Sequence, residues 1–349
     1  MPPKVLVLSI VWASVALLPS YMQGANVEDE SKISPLVRCF AQAEKPSPPF
    51  TKNKFVPKSG ETISFIGGTN TFDLQKFPYL EALLQLTYPN LHLKIRNLVW
   101  QGDTALQQTR PLFYFTKAAD KQPGSVPDQR DRVQPGIVFV NFGKMESLEK
   151  PDSLTGFLSA YKTFLDQLQT RTQRIVLISP TPFFPIGPAK SEAKTRNETL
   201  AEFELAIRTL AKERKLLYVD LFNPQMKSLD PTLSSDGIHL TDAGQRQVAT
   251  IVAQSLHFPL DPDAALKSSK LQTLQQTLLR KDFLWQQYYH PTNWAFLYGD
   301  RQSQPASRSH LDKDKRWFRN EVDQLPALIA ETETDIHRYA AEAADAIRR

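Results

Sequence analysis

The stretch that decides the fold is Gly136-Ile137-Val138-Phe139-Val140-Asn141-Phe142. It is a continuous apolar run, which is typical of a strand that is buried on both faces. The segment from Arg174 to Ser179 contains a second such run, Ile175-Val176-Leu177-Ile178. Because doubly buried strands belong to parallel sheets that carry helices on each side, the two runs predict an α/β fold.

Strands and helices alternate outward from these two runs. Short β-branched, alternating or apolar segments predict three further strands, at Thr62 to Ile66, His92 to Leu98 and Leu216 to Leu221. Amphipathic spacing predicts helices at Phe72 to Leu86, Leu154 to Leu168, Leu200 to Leu210 and Thr241 to Leu256. The alternation predicts a three-layer α/β/α sandwich with a five-stranded parallel sheet and right-handed crossovers.

The chain before this sandwich divides into two segments. Residues 1–25 contain Lys4 followed by the apolar run Val5 to Leu18, and they are interpreted as a signal peptide. An uncleaved signal anchor is the alternative. Residues 26–60 are rich in proline and lysine and predict an extended lead-in. We therefore expect an exported bacterial protein, periplasmic or secreted, with no stable membrane span after signal removal.

Residues 61–260 form the predicted α/β domain, and residues 261–349 form a helical C-terminal extension. Helices are expected at Leu266 to Trp285 and from Trp317 to Ile347. The extension is short and rich in aromatic residues, so we expect it to be docked on the core.

Composition excludes several classes of protein. The 42 basic and 37 acidic residues give a net charge of +5 with no long basic block, which does not indicate a nucleic-acid partner. The one cysteine, Cys39, excludes an intrachain disulfide and a thiolate-rich metal site. The six histidines have no ligand-like spacing, so we expect no metal and no cofactor.

Polar residues gather where the predicted strands end, which is where open parallel sheets place their sites. These strand-end segments are Gly67 to Thr71, Arg96 to Thr104, Asn141 to Ser147 and Ser235 to Thr241. In the last one, Asp236 precedes His239 by three residues. This spacing can place a carboxylate against one imidazole nitrogen and leave the other nitrogen free as a general base. A helix cap beside a surface histidine is the alternative.

These four segments resemble, in chain order, the motif blocks of the SGNH, or GDSL-type, hydrolases. The resemblance covers about residues 61 to 256 and implies a flavodoxin-like fold and ester hydrolysis. The last block matches in Asp236-Gly237-Ile238-His239-Leu240, the second in Asn97 and Gly102, and the third in Gly143. It implies that His239 is the base, that Asp236 orients it, and that the Gly102 N–H lies in the oxyanion hole.

Two blocks depart from the family pattern. Thr69 stands where the family has its serine nucleophile, and Met145 stands where it has an asparagine donor to the oxyanion hole. Thr69 is therefore either the nucleophile, with its own N–H as a second oxyanion donor, or a turn residue that caps a helix. Ser147 is a weaker alternative nucleophile. The altered blocks are similar to those of a divergent, exported bacterial branch of the family.

Four further residues are candidates for substrate binding, and each has a structural alternative. Asp103 could position the second loop or form an Asx turn, and Glu146 could bond a loop or lie exposed. In the extension, His290 and Asn293 lie among aromatic residues that would suit a sugar or simply dock the tail. Residues 105–135 predict either a lid or a hydrophobic flap.

Two functions compete at this stage. The first is an exported hydrolase that acts on an ester bond of a small molecule or an acylated carbohydrate by a nucleophile-His-Asp mechanism. The second is a catalytically degenerate protein of the same fold that binds a glycan or a protein partner. The intact Asp236 and His239 favour the enzyme, and Thr69 and Met145 favour the binding protein.

Overall fold

The computed structural model contains one five-stranded parallel sheet in the order β2-β1-β3-β4-β5. The strands are β1 (Thr62–Gly67), β2 (Lys94–Asn97), β3 (Ile137–Asn141), β4 (Ile175–Ile178) and β5 (Leu217–Val219). Every pairing is parallel, with Ile63 opposite Ile137 and Val138 opposite Ile175. The flavodoxin-like order and the flanking helices confirm the predicted α/β fold with a helical extension.

The structure describes residues 32–108, 110, 132–149, 153–292, 294–297 and 301–348. Ser34–Arg349 forms one compact unit, while a separate unit, Met1–Ile33, lies almost wholly outside the described residues. The predicted signal peptide at residues 1–25 and most of the predicted lid at 105–135 also lie outside them.

Helices cover both faces of the sheet and continue into the extension. In the α/β part they are α1 (Thr69–Phe72), α2 (Tyr79–Thr87), α3 (Ser153–Gln169), α4 (Ala193–Glu213), α5 (Phe222–Met226) and α6 (Asp242–Ser255). In the extension they are α7 (Pro262–Leu266), α8 (Leu271–Tyr289), α9 (Trp294–Leu297), α10 (Trp317–Val322) and α11 (Leu325–Arg348).

The prediction of one helix from Phe72 to Leu86 is wrong. The chain forms α1, then a 3₁₀ turn at Asp73–Gln75, and restarts as α2 only after Pro78. Proline has no N–H and disfavours helical geometry in the residue before it, so the helix breaks there. The predicted helix from Trp317 to Ile347 is also divided, into α10 and α11.

The lead-in packs on the α/β core. Phe50 and Phe55 are buried in the core, and the Phe55 ring stacks on Phe258 with 5.4 Å between centroids. Isolated parallel bridges join Phe40 to Val133 and Ser47 to Thr172. Residues 32–60 therefore contribute apolar side chains to the core of the α/β domain.

A buried ion cluster joins the extension to α2 of the α/β core. Lys281 on α8 is 1% exposed and donates to Glu81 on α2 at 2.7 Å and to Asp282 at 2.6 Å. Burial raises the pKa of Glu81 to about 7, although Lys281 opposes this. Beside it, the Trp285 indole donates to the Asn97 carbonyl at the end of β2, at 2.7 Å. The extension thus reaches a strand that leads into the predicted site.

No helix in the described part of the chain is both long enough and apolar enough to cross a membrane.

Candidate active site

A cavity of about 260 Å³ lies at the carboxyl edge of the sheet, where the strand order reverses between β1 and β3. Segments that follow all five strands line it. Its lining residues are Gly68, Thr69, Asn70, Asp103, Asn141, Phe142, Gly143, Lys144, Met145, Glu146, Leu148, Pro180, Thr181, Ile238 and His239. Sequence analysis missed the contribution of the loop after β4, which supplies Pro180 and Thr181.

Asp236 and His239 form the hydrogen bond that their spacing predicted. The His239 Nδ1 atom lies 2.6 Å from Asp236 Oδ2, and Asp236 Oδ1 accepts from the backbone N–H groups of Ile238 and His239 at 2.9 and 2.8 Å. Partial burial opposes ionisation of Asp236, but these hydrogen bonds lower its pKa to about 2. The carboxylate is thus ionised at neutral pH and accepts from Nδ1, which leaves Nε2 unprotonated in the neutral ring.

Gly237 lets the chain make this turn. Its φ of +93° lies in the left-handed region that favours glycine. A Cβ there would lie 2.7 Å from the Phe184 carbonyl oxygen and 2.5 Å from the Ala189 Cβ. Ser234 closes the turn, because its hydroxyl donates to the His239 carbonyl at 2.7 Å and accepts from the Gly237 N–H at 2.9 Å.

Thr69 lines the same cavity as His239 and begins α1. Among the described residues, no hydrogen bond joins the Thr69 hydroxyl to the His239 ring, and the Thr69 N–H donates to no protein acceptor. Its side chain is partly exposed, and it caps no helix in this structure. Thr69 therefore has a hydroxyl and an N–H available in the cavity.

The second loop contributes less than sequence analysis predicted. Gly102, the predicted oxyanion donor, is exposed in a turn at φ +87° and is not among the residues lining the cavity. Asp103 does line it, but its carboxylate accepts from Arg110 at 2.8 and 3.0 Å and from the Trp100 N–H at 2.9 Å. The Asp103 carboxylate therefore holds the second loop together.

Glu146 and Met145 lie side by side in the third loop but have different environments. Glu146 is buried, and its two oxygens accept from the N–H groups of Ala105 at 2.7 Å and Gly143 at 2.9 Å. Burial raises its pKa, which the two N–H donors oppose. Met145 is 41% exposed at the cavity wall and offers no hydrogen-bond donor. Ser147 is buried, donates to the Lys144 carbonyl and does not line the cavity.

Lys144 is a cavity residue that sequence analysis missed. Its ammonium donates to the Thr181 hydroxyl at 3.1 Å and to the carbonyls of Pro182 at 3.0 Å and Ile238 at 3.1 Å. Burial lowers its pKa to about 7, and the Asp236 carboxylate opposes the shift. No sequence signal pointed to it, because its partners belong to two other loops.

The extension carries the two predicted sugar-binding residues, His290 and Asn293. His290 stacks on Trp100 with 3.9 Å between ring centroids and does not line the cavity, and burial lowers its pKa. Asn293 lies outside the described residues. Within the described parts of the chain, no cluster of three or more histidine, cysteine or acidic residues could hold a metal ion.

The segment of the chain that forms the cavity matches a known protein family. The model of the GDSL-like lipase/acylhydrolase family matches residues 67–247, slightly more than half of the chain. The match begins at the last residue of β1 and spans the cavity loops and the Asp236–His239 turn. The chain therefore belongs to the GDSL-like lipase/acylhydrolase family, a family of hydrolases.

Individual relatives are distant. A GDSL esterase/lipase of Oryza sativa subsp. japonica, WDL1, is 24% identical over 58% of this chain and 80% of its own length. Among solved structures, the acetylxylan esterase Axe2 from Geobacillus stearothermophilus is 20% identical, with a TM-score of 0.43 over 58% of this chain and 97% of that one. A gut microbial diltiazem-metabolizing enzyme is 18% identical, with a TM-score of 0.41 over 59% of this chain and 48% of that one.

Proposed function

We propose that the protein hydrolyses carboxylic esters at the cavity that contains Thr69 and His239. The observation that carries this proposal is the 2.6 Å contact between His239 Nδ1 and Asp236 Oδ2 beside a cavity that also contains a hydroxyl group. An ionised, hydrogen-bonded carboxylate fixes the tautomer of a general base, which is the arrangement that nucleophilic acyl transfer needs.

In this proposal Thr69 attacks the ester carbonyl. Its Oγ1 forms a bond to the carbonyl carbon while His239 Nε2 accepts its proton, and collapse of the tetrahedral intermediate releases the alcohol, which takes that proton. Water then attacks the acyl-enzyme with His239 again as base, which releases the acid and regenerates Thr69. The N–H group of Thr69 is the proposed oxyanion donor, since Gly102 does not line the cavity.

The acyl group is proposed to be short. A cavity of about 260 Å³ is slightly below the usual range for drug-sized ligands, and Phe142, Met145 and Leu148 supply apolar wall. We also propose that the natural substrate is an acylated carbohydrate and that the chain is exported. Both of these rest on the sequence resemblance and the predicted signal peptide.

Degenerate binding is the second candidate, and two observations favour it. The Thr69 hydroxyl is not hydrogen-bonded to His239, and Met145 offers no oxyanion donor. Catalytic hydrogen bonds are often long before substrate binds, so the first observation does not remove the hydrolase.

Kinetic assays on the full chain separate the two candidates. Acetyl, butyryl and octanoyl nitrophenyl esters, and an acetylated oligosaccharide, would be offered to the wild type, His239→Ala, Thr69→Ala and Thr69→Ser. We expect activity that falls with acyl length, a loss of about 10³-fold or more in His239→Ala, and a several-fold gain in Thr69→Ser, whose primary hydroxyl is less crowded. His310→Ala, an exposed histidine of the extension, is the matched control.

The outcomes are distinct. Wild-type activity equal to that of His239→Ala would reject the hydrolase and leave the binding protein. Activity that disappears in His239→Ala but persists in Thr69→Ala would assign the attack to water activated by His239 and remove only the nucleophile.

A further inference from the structure

Lys144 spans three of the loops that surround the cavity. It follows β3, and its ammonium donates hydrogen bonds to Thr181 and Pro182 in the loop after β4. It also donates to Ile238 in the loop after β5. An ammonium has three N–H donors, so these three acceptors use all of them. Lys144 is therefore fixed by its partners although it lines an open cavity.

Asn70 converges on two of the same acceptors. Its side-chain amide donates to the Thr181 hydroxyl at 3.2 Å and to the Ile238 carbonyl at 3.1 Å. The Ile238 oxygen thus accepts from a residue after β1 and from a residue after β3. A carbonyl oxygen has two lone pairs, and here both are used.

The Ile238 carbonyl belongs to the peptide group that leads into His239. The N–H of that same peptide group, on His239, donates to Asp236 Oδ1 at 2.8 Å. A peptide group is planar, so hydrogen bonds at its oxygen and at its nitrogen fix the orientation of the whole plane. The direction from which the His239 side chain leaves the backbone is thereby set from both ends.

We propose that Lys144 is a positioning residue, which holds the peptide group before His239 so that its ring meets Asp236 and faces the cavity. The inference rests on the proposed function, because it gives His239 the role of base. Lys144 itself acts through Ile238 and not on the ester. Loss of the ammonium would leave the single amide of Asn70 to hold the Ile238 oxygen.

The test compares Lys144→Met and Lys144→Arg with the wild type, and Lys162→Met, an exposed lysine on α3, is the control. Methionine keeps most of the side-chain length and removes every donor, whereas arginine keeps the charge and several donors. We expect Lys144→Met to lower kcat about 10- to 100-fold with KM within about twofold, since small displacements of a reacting group have effects of this size. Lys144→Arg should recover part of the loss.

A second readout does not depend on activity. Long-range proton–nitrogen correlation of the histidine rings, with the His239 signal assigned through His239→Ala, reports which ring nitrogen carries the proton. We expect mainly the Nδ1–H tautomer in the wild type and a mixture in Lys144→Met. If no ester is hydrolysed by the wild type, the proposed function fails, while this readout still decides whether Lys144 orders the turn.

Three results would overturn the inference. An unchanged tautomer with kcat within about twofold would show that the turn does not need Lys144. A rise in KM alone would make Lys144 a substrate contact. If Lys144→Met unfolds, the same readouts on Lys144→Gln decide, and unfolding of both variants would assign Lys144 to general stability and reject the positioning role.

Discussion

The Asp236–His239 turn and the Thr69 loop both contribute to the cavity, but they are held in place differently. The turn is held by hydrogen bonds from Ser234, Asn70 and Lys144 and by those that the Asp236 carboxylate accepts within the turn. The Thr69 side chain makes no hydrogen bond among the described residues. The difference teaches that the proposed base is fixed by the fold, whereas the proposed nucleophile would be aligned by what enters the cavity.

Removing the charge from the turn should have the largest effect. Asp236→Asn keeps the shape but no longer fixes the His239 tautomer, and we expect kcat to fall about 10³- to 10⁴-fold, or about 4–5 kcal/mol of activation free energy. Steady-state kinetics would measure it. Asp230→Asn is the control, because among the described residues this partly exposed carboxylate accepts hydrogen bonds from the nearby Thr232 alone. Equal activity of the two variants would mean that the turn is not part of the catalytic machinery.

Substitutions at two glycines, one in the Asp236–His239 turn and one next to Thr69, test how tightly these two segments are packed. Gly237→Ala places a methyl group against Phe184 and Ala189 at a positive φ, so we expect the free energy of unfolding to fall by about 2–4 kcal/mol. Gly68→Ala, with φ of −84° and nothing within 4 Å of the new Cβ, should change it by less than about 1 kcal/mol. Urea unfolding of both variants measures the difference. Similar losses in both would contradict the contrast between the two sides.

A hydrogen-bond donor introduced at position 145, in the cavity wall, should raise the rate of the proposed reaction. Met145→Asn would restore the amide that the resemblance associates with the oxyanion hole, and we expect kcat to rise about tenfold, or about 1.4 kcal/mol. Met145→Leu controls for the change in size and should stay within about twofold of the wild type. If asparagine and leucine give the same rate, the third loop does not face the developing oxyanion.

Acid should weaken the turn by the smallest amount. The pKa of Asp236 is about 2 in the folded state, below its usual value of 3.8, so the ionised carboxylate stabilises the fold above about pH 4 and this contribution is lost as the pH falls towards 2. The group is 38% exposed and solvent screens it, so we expect less than about 1 kcal/mol. The difference in unfolding free energy between the wild type and Asp236→Asn should shrink between pH 5 and 2. A constant difference would mean that the carboxylate adds no pH-dependent stability.

The sheet could be predicted because a doubly buried strand must be apolar along its whole length. Ile137–Asn141 and Ile175–Ile178 show this requirement directly in the sequence. The Asp236–His239 contact could also be predicted from the sequence, since both residues lie in one short turn. The break at Pro78 was missed because apolar spacing continued through it, and backbone chemistry prevailed over the pattern.

Contacts between distant loops could not be predicted. Lys144 bonds Ile238, 94 residues later in the chain, and nothing near either residue announces the pair. Asp103 was predicted to position the second loop, which it does, but the sequence did not indicate its partner Arg110, with which it forms an ion pair that is buried on both sides. Such pairings depend on how the loops fold over the sheet edge, which local patterns do not specify.

The buried ion cluster has a consequence for the smallest unit of this chain that can fold. A chain ended at residue 260 would keep Glu81 and lose both Lys281, the cation that pairs with it, and α8, which packs on α2. The apolar side chains of α2 that α8 and α11 cover would then be exposed to water. We therefore expect that the region matched by the family model does not fold as a self-sufficient domain and that a fragment ended at residue 260 aggregates more readily than the full chain.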